Sequence, residues 1–366
     1  MRLHLLDLRP LRALAVPAVL AALTALTAGC NSQGMAEEPL PMPIVEGDLP
    51  ACAGEMAHYF DRGAIQPPGQ GTGYDADQER VVGAVFAQAF ALGVEGDLAG
   101  MAALLDAEAR IEHPHEPGRI VPAYTVCQDA GLGAVLFRPV MGSGLPVMAW
   151  RPGDARRVIV EAPHPWFELH TREQGVEAFF EHRARALIVS GAHRCSSHAE
   201  VVCSGTTSVC GEAGAYRESD PAHNPESVFH AMHVALTEAY RTHFAISLHG
   251  VRHHRVVVSD GTDLAVGAEG PIGAAALDLH HMLEGEAEVE SCNGVREMGQ
   301  ADRYCGTTNA QGRHLNGAED VCIDSAGHSA HRFLHLEQPM HVRSTADLRR
   351  AVILRIFDRL DPLGAR

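Results

Sequence analysis

The chain has 366 residues, nine cysteines and a formal charge of −17, and all 29 of its lysine-or-arginine positions are arginine. Without lysine, Schiff-base chemistry, a lysine nucleophile and a Walker-type phosphate loop are excluded. The acidic balance argues against nucleic acid, whose recognition needs a basic face.

The chain opens on MRLHLLDLRPLR, with three arginines against one aspartate, and continues through the apolar run ALAVPAVLAALTALTAG to Cys30. A positive start, a short apolar core and small residues before a break describe a signal peptide over residues 1–29. Pro17 interrupts the run, which is shorter than the roughly 20 residues a spanning helix needs. Thr27-Ala28-Gly29-Cys30 resembles the bacterial lipobox, with threonine where leucine is usual. That resemblance implies a lipidated (palmitate-bearing) Cys30 as the mature N-terminus. Asn31, in place of the aspartate that retains lipoproteins on the inner membrane, favours the outer membrane. Residues 30–50, polar and rich in Pro and Gly, read as a tether, so contact with the membrane is expected through the lipid anchor only.

Eight cysteines follow: Cys52, Cys127, Cys195, Cys203, Cys210, Cys292, Cys305 and Cys322. An even number in an exported chain suggests disulfides, and no C-x-x-C pair offers a zinc knuckle. The pairs expected are Cys203 with Cys210, closing a short loop, and Cys52 with Cys127.

Residues 51–132 read as an N-terminal helical region. From Asp75 the helical periodicity predicts two helices broken near Gly96. Residues 133–366 read as an α/β domain. Short apolar runs rich in valine and isoleucine predict strands at GAVLFRPV, LPVMAWRP, RVIVEAP, ALIVSGAH, HFAISLHG, HRVVVSDG and RFLHLEQP. The first two flank Gly142-Ser143-Gly144 as a hairpin. Helices are predicted over Thr171 to Ala186, from Asn224, over GPIGAAALDLHHMLEGE, and over STADLRRAVILRIFDRL with Ser344 as N-cap. Alternating strands and helices predict an α/β fold: a mixed, largely parallel sheet with helices on both faces, stabilised by disulfides.

In such sheets functional residues gather at the carboxyl ends of strands. RVIVEAP runs into His164, ALIVSG into His193-Arg194, FAISL into His249 and RFLHL into Glu337. Two histidines with a nearby carboxylate follow the ligand logic of catalytic zinc: three protein ligands and one open position. His164, Glu168 and His249 are the candidate ligands, with His170 a rival to Glu168, and Glu337 is the candidate general base. Arginine suits a substrate carboxylate. Arg194 is the first candidate and Arg313, in a Gly- and Asn-rich segment between Cys305 and Cys322, the second. That segment reads as a disulfide-pinned loop over the site, and SDPAHNPES, with Asp220 and His223, as a further rim.

Taken together, the hairpin, the strand into His164 and Glu168, the strand into LHG and the late strand into Glu337 resemble the zinc carboxypeptidase-like superfamily. The similarity spans roughly residues 133–359 and is nearest the N-formylglutamate amidohydrolase and poly-γ-glutamate hydrolase branches. It implies His164, Glu168 and His249 as metal ligands and Glu337 as base. Carboxypeptidases place two residues between the first histidine and the glutamate, this chain three, and the poly-γ-glutamate branch more.

The function expected is zinc-dependent hydrolysis of an amide bond in a carboxylate-bearing substrate: a peptide, a γ-glutamyl compound or an N-acyl amino acid in the cell envelope. A non-catalytic envelope-binding lipoprotein on the same scaffold is the alternative. A serine hydrolase is disfavoured, because no G-x-S-x-G elbow occurs and Ser143 sits in a hairpin.

Overall fold

The computed structural model describes residues 48–54, 56–60 and 75–362. The residues read as a signal peptide, Cys30 and all but the last three residues of the expected tether lie outside them. After a 3-10 helix, Met56–Phe60, come α1 (Ala76–Val94) and α2 (Leu98–Glu108), separated at Gly96, whose φ of 101° suits glycine. Asp75 caps α1 by accepting from the N–H groups of Asp77 and Gln78, and Asp97 caps α2 through Gly100.

Strands β1 (Arg110–Glu112) and β2 (Ile120–Pro122) form a small antiparallel pair. The rest of the chain runs β3 (Tyr124–Asp129), β4 (Ala134–Pro139), β5 (Val147–Trp150), β6 (Arg156–Ala162), α3 (Thr171–Phe180), β7 (Ala184–Val189), α4 (Val228–Ala239) and β8 (Phe244–Val251). It continues with β9 (Arg255–Ser259), α5 (Pro271–Met282), β10 (Glu288–Ser291), β11 (Gly299–Gln300), α6 (Ala310–Leu315), β12 (Phe333–Pro339), α7 (Met340–Ser344) and α8 (Ala346–Leu360).

Ten strands make one sheet in the order β11-β10-β9-β12-β8-β6-β7-β5-β4-β3. Its centre, β12-β8-β6-β7, is parallel throughout, so these strands point their carboxyl ends to one edge. Strands β3, β4 and β5 attach antiparallel, and the expected hairpin at Gly142-Ser143-Gly144 joins β4 to β5. The predicted α/β class, with a mixed and largely parallel sheet between helices, is therefore the architecture observed.

Alternation along the central strands explains the two layers. Val158, Val160 and Ala162 of β6 and Leu187 and Val189 of β7 pack with Phe179 of α3, Leu279 of α5 and Ile353 and Phe357 of α8. Ile159, Ala186 and Ile188 face the other way, toward Phe86 and Phe90 of α1, Leu105 of α2 and Met232 and Leu236 of α4. The N-terminal region thus shares its core with the sheet, and it contains three strands besides its helices.

Three local expectations need correction. The helix from Thr171 stops at Phe180 rather than Ala186, because Arg183 turns the chain with φ 58° and β7 begins at Ala184. Ser344 ends α7, and α8 starts after Thr345 without a side-chain cap. Cys203 pairs not with Cys210 but with Cys322. The disulfides are Cys52–Cys127, as expected, with Cys195–Cys210, Cys203–Cys322 and Cys292–Cys305. A bridge between Thr207 and Gly214 folds this segment back and carries Cys210 to Cys195. Meanwhile Ser204 N–H donates to the Cys322 carbonyl at 2.9 Å, seating Cys203 against its distant partner.

Candidate metal centre

Beyond β6 the chain makes one helical turn, in which Glu168 N–H donates to the His164 carbonyl at 2.8 Å. A spacing of four residues on such a turn puts both side chains on one face, which accounts for the gap between them. His164 Nδ1 lies 2.9 Å from Glu168 Oε1. His249, on the adjacent strand β8, brings its own Nδ1 to 3.2 Å from Glu168 Oε2. All three side chains are buried. His170 is no part of this group, since it occupies the left-handed turn before α3 with φ 74°.

These atoms could hold a metal ion. Four ligands near 2 Å in tetrahedral array place donors about 3.3 Å apart, and one donor atom from each of the three residues lies within 4.8 Å of the others. The far nitrogen of each imidazole is held as a metal site requires. His164 Nε2 meets Asp220 Oδ1 at 2.8 Å, and His249 Nε2 meets Ser247 Oγ at 3.0 Å. Glu168 accepts from Gly250 N–H at 3.1 Å and from Arg194 Nη1 at 3.2 Å, and the same Nη1 lies 3.3 Å from His164 Nδ1.

The electrostatics match. Burial and Arg194 oppose a charge on His164, but Glu168 and Asp220 on its two nitrogens outweigh them and raise its pKa. The pocket that holds a proton there suits a cation. Burial alone would raise the Glu168 and Asp220 carboxyls, yet the neighbouring positive groups hold both well below the usual range. Burial pushes His249 down.

Glu337 stands on β12 directly opposite His249 in the parallel register of β8 and β12. Its carboxyl is buried, its Oε2 has no partner among the described residues, and burial together with Glu168 pushes its pKa well up. Two residues earlier on the same strand, His335 stacks on His249 with ring centroids 4.4 Å apart. His249, His335 and Glu337 form a second group of converging donor atoms. His335 went unnoticed in the sequence, although the period of two that carries Glu337 to the cavity carries it as well.

The two candidate arginines part company. Arg194 reaches the centre, but its Nη2 and Nε bind Asp220 Oδ2 at 2.5 and 3.0 Å. Arg313, in α6, spends its donors on the Thr307, Val321 and Cys322 carbonyls and on Ser204 Oγ. It braces the Cys203–Cys322 connection and does not line the cavity.

Above the centre opens a cavity of about 550 Å³, lined by His164, Glu168, His249 and Glu337 below and by two loop segments around Thr206 and Thr307. Cys195–Cys210, Cys203–Cys322 and Cys292–Cys305 tie those segments down, so disulfides do pin the rim, by pairings other than the one between Cys305 and Cys322 that would close the loop alone. His223 completes the wall. Its Nδ1 donates to the Thr308 carbonyl at 2.9 Å, its ring stacks on Tyr216, and burial pushes its pKa down to about 3. A neutral imidazole with its proton on Nδ1 leaves Nε2 as an acceptor.

No family model matches the chain, and no curated protein matches it. Among solved structures it is similar to a succinylglutamate desuccinylase from Vibrio parahaemolyticus, at 12% identity over 65% of this chain and 67% of that one, with a TM-score of 0.33. So distant a likeness carries no weight for fold or activity, which rest on the arrangement of the chain's own residues.

Proposed function

We propose that this chain is a zinc-dependent hydrolase of the carboxypeptidase-like kind, cleaving an amide bond in a small peptide or amino-acid-derived substrate that bears a carboxylate. One observation carries the reading: the donor atoms of His164, Glu168 and His249 lie within 4.8 Å of one another at the floor of an open cavity. His164 and His249 would bind the ion through Nδ1, and Glu168 through its carboxylate. Zinc in such a site polarises a carbonyl oxygen and lowers the pKa of water.

The chain's own residues do the rest. Asp220 and Ser247 hold the two imidazoles in place, and Arg194 and Gly250 hold Glu168. Glu337 accepts the proton of the attacking water and returns it to the departing nitrogen. His223 Nε2 can accept from a substrate N–H.

The same proposal places the domain in the cell envelope, anchored by lipid on Cys30 at the outer membrane. Four disulfides support an oxidising compartment. Incorporation of labelled palmitate, abolished by Cys30→Ala, tests the anchor.

The metal centre is tested by zinc content after reconstitution. About one ion per chain is expected, and none in the His164→Ala His249→Ala double variant. Equal zinc in the two proteins would refute the reading.

A further inference from the structure

On the face of the sheet that carries His249, a buried carboxylate stands outside the cavity and outside the ligand set. Glu161 of β6 points to the side of Ile159, toward α4, because Val160 and Ala162 fill the opposite layer. Its Oε1 meets Nδ1 of His233, on α4, at 2.5 Å. Its Oε2 is buried and has no hydrogen-bond partner among the described residues. A buried carboxylate left half satisfied is costly, so the second oxygen calls for a donor.

The strand register supplies one. Glu161 stands directly opposite Ser247 in the parallel pairing of β6 and β8, on strands about 4.8 Å apart. Ser247 points to the same face, since Ile246 and Leu248 on either side of it pack in the other layer. Its Oγ has one hydrogen-bond partner among the described residues, His249 Nε2 at 3.0 Å. Burial raises the Glu161 pKa to about 8, and the charge that His249 can carry is the largest influence against that rise.

A hydroxyl has one hydrogen to donate. With a proton on His249 Nδ1, facing Glu168, Nε2 is an acceptor; Ser247 then donates to it and Glu161 Oε2 is left without a donor. With Nδ1 bound to a cation, the ring proton lies on Nε2, which donates to Ser247. The hydroxyl hydrogen is then free to turn to Glu161.

We propose that Glu161 is a positioning residue for the metal centre, accepting from Ser247 whenever His249 holds a cation through Nδ1. The inference rests on the zinc reading of His164, Glu168 and His249. It extends the support of one ligand into a chain of four side chains, His249, Ser247, Glu161 and His233, that ends on α4. A carboxylate at the far end of such a chain fixes the orientation of the ring and makes its nitrogen a stronger ligand. Asp220 does this for His164 by direct contact, and Glu161 does it for His249 through one hydroxyl.

The test is zinc affinity by chelator competition in wild type, Glu161→Gln, Ser247→Ala and the double variant, with urea denaturation of the metal-free proteins alongside. Glu161→Gln should weaken zinc about 10-fold, as loss of an outer-shell partner does. In Ser247→Ala the link is already cut, so adding Glu161→Gln should cost no further affinity. A Glu161 that serves only to pair with His233 would lower stability and leave affinity at the wild-type value, and that result overturns the inference; so do losses that simply add. Should Glu161→Gln not fold, Glu161→Met His233→Leu replaces the buried pair with apolar side chains of similar size and carries the same expectation. A wild type that takes up no zinc refutes the metal centre and this inference with it, whereas normal uptake with unchanged affinity in Glu161→Gln refutes the inference alone.

Discussion

Asp220 and His164 are joined by a hydrogen bond of 2.8 Å between Oδ1 and Nε2, across 56 residues of sequence. The other Asp220 oxygen holds Arg194, so one carboxylate orients the His164 imidazole and neutralises a buried guanidinium. Asp220→Asn keeps the shape and removes the charge. Zinc affinity should fall about 10- to 100-fold in chelator competition. Unfolding free energy should fall by about 3 kcal/mol, because Arg194 loses its main buried partner. If Asp220 only anchored Arg194, the protein would be less stable while its zinc affinity stayed at the wild-type value.

Glu337→Gln separates catalysis from binding. The carboxyl oxygen lost has no partner among the described residues, so folding and zinc content should be unchanged. Turnover of an N-acyl amino acid or peptide that wild type hydrolyses should fall about 10²- to 10⁴-fold. Near-normal turnover with full zinc content would remove Glu337 from the proton-transfer role.

A pH effect arises at a residue that does not line the cavity. Glu79 of α1 is buried and accepts from Val228 N–H at the start of α4. Burial outweighs that bond and raises its pKa from 4.5 to about 7. Between those values the unfolded chain has released this proton while the folded chain keeps it. Stability from this group is therefore complete below about pH 4.5 and is lost as pH rises through 7, on the order of 3 kcal/mol. Glu79→Gln cannot titrate. Wild-type unfolding free energy minus that of this variant, from urea denaturation at several pH values, should fall across that window. A difference independent of pH would show that Glu79 ionises normally.

The disulfides make unequal contributions. Cys203–Cys322 spans 119 residues and Cys195–Cys210 only 15. Chain entropy assigns about 5 kcal/mol to the first and about 3 kcal/mol to the second. The Cys203→Ala Cys322→Ala variant should therefore unfold at lower denaturant than Cys195→Ala Cys210→Ala. Both should keep zinc, since the ligands sit on the sheet and its following turn. Peptide mapping without reduction checks the pairing itself, and a Cys203–Cys210 peptide would contradict it.

Much of the site was legible because its determinants are local. Apolar runs marked β6, β8 and β12, and parallel pairing then brought His164, His249 and Glu337 to one edge. The spacing of four from His164 to Glu168 could be read on a helical turn, and only the turn itself excluded His170. His335 and Ser247 were equally readable, each two residues from a named group on the same strand.

Other features had no local signature. Asp220 was visible as part of a rim, but its partners, Arg194 and His164, lie 26 and 56 residues away. Arg194 and Arg313 are alike as sequence, and what separates them is which acceptors lie within reach after folding. Cysteine pairing likewise depends on which distant loops close on one another, as Cys203 and Cys322 do. Side-chain periodicity is a property of the backbone, so the sequence by itself determined the elements and the faces they present. Charge compensation and cross-linking belong to pairs of segments, and only the tertiary structure decided which acceptors each arginine meets and which carboxylate orients His164.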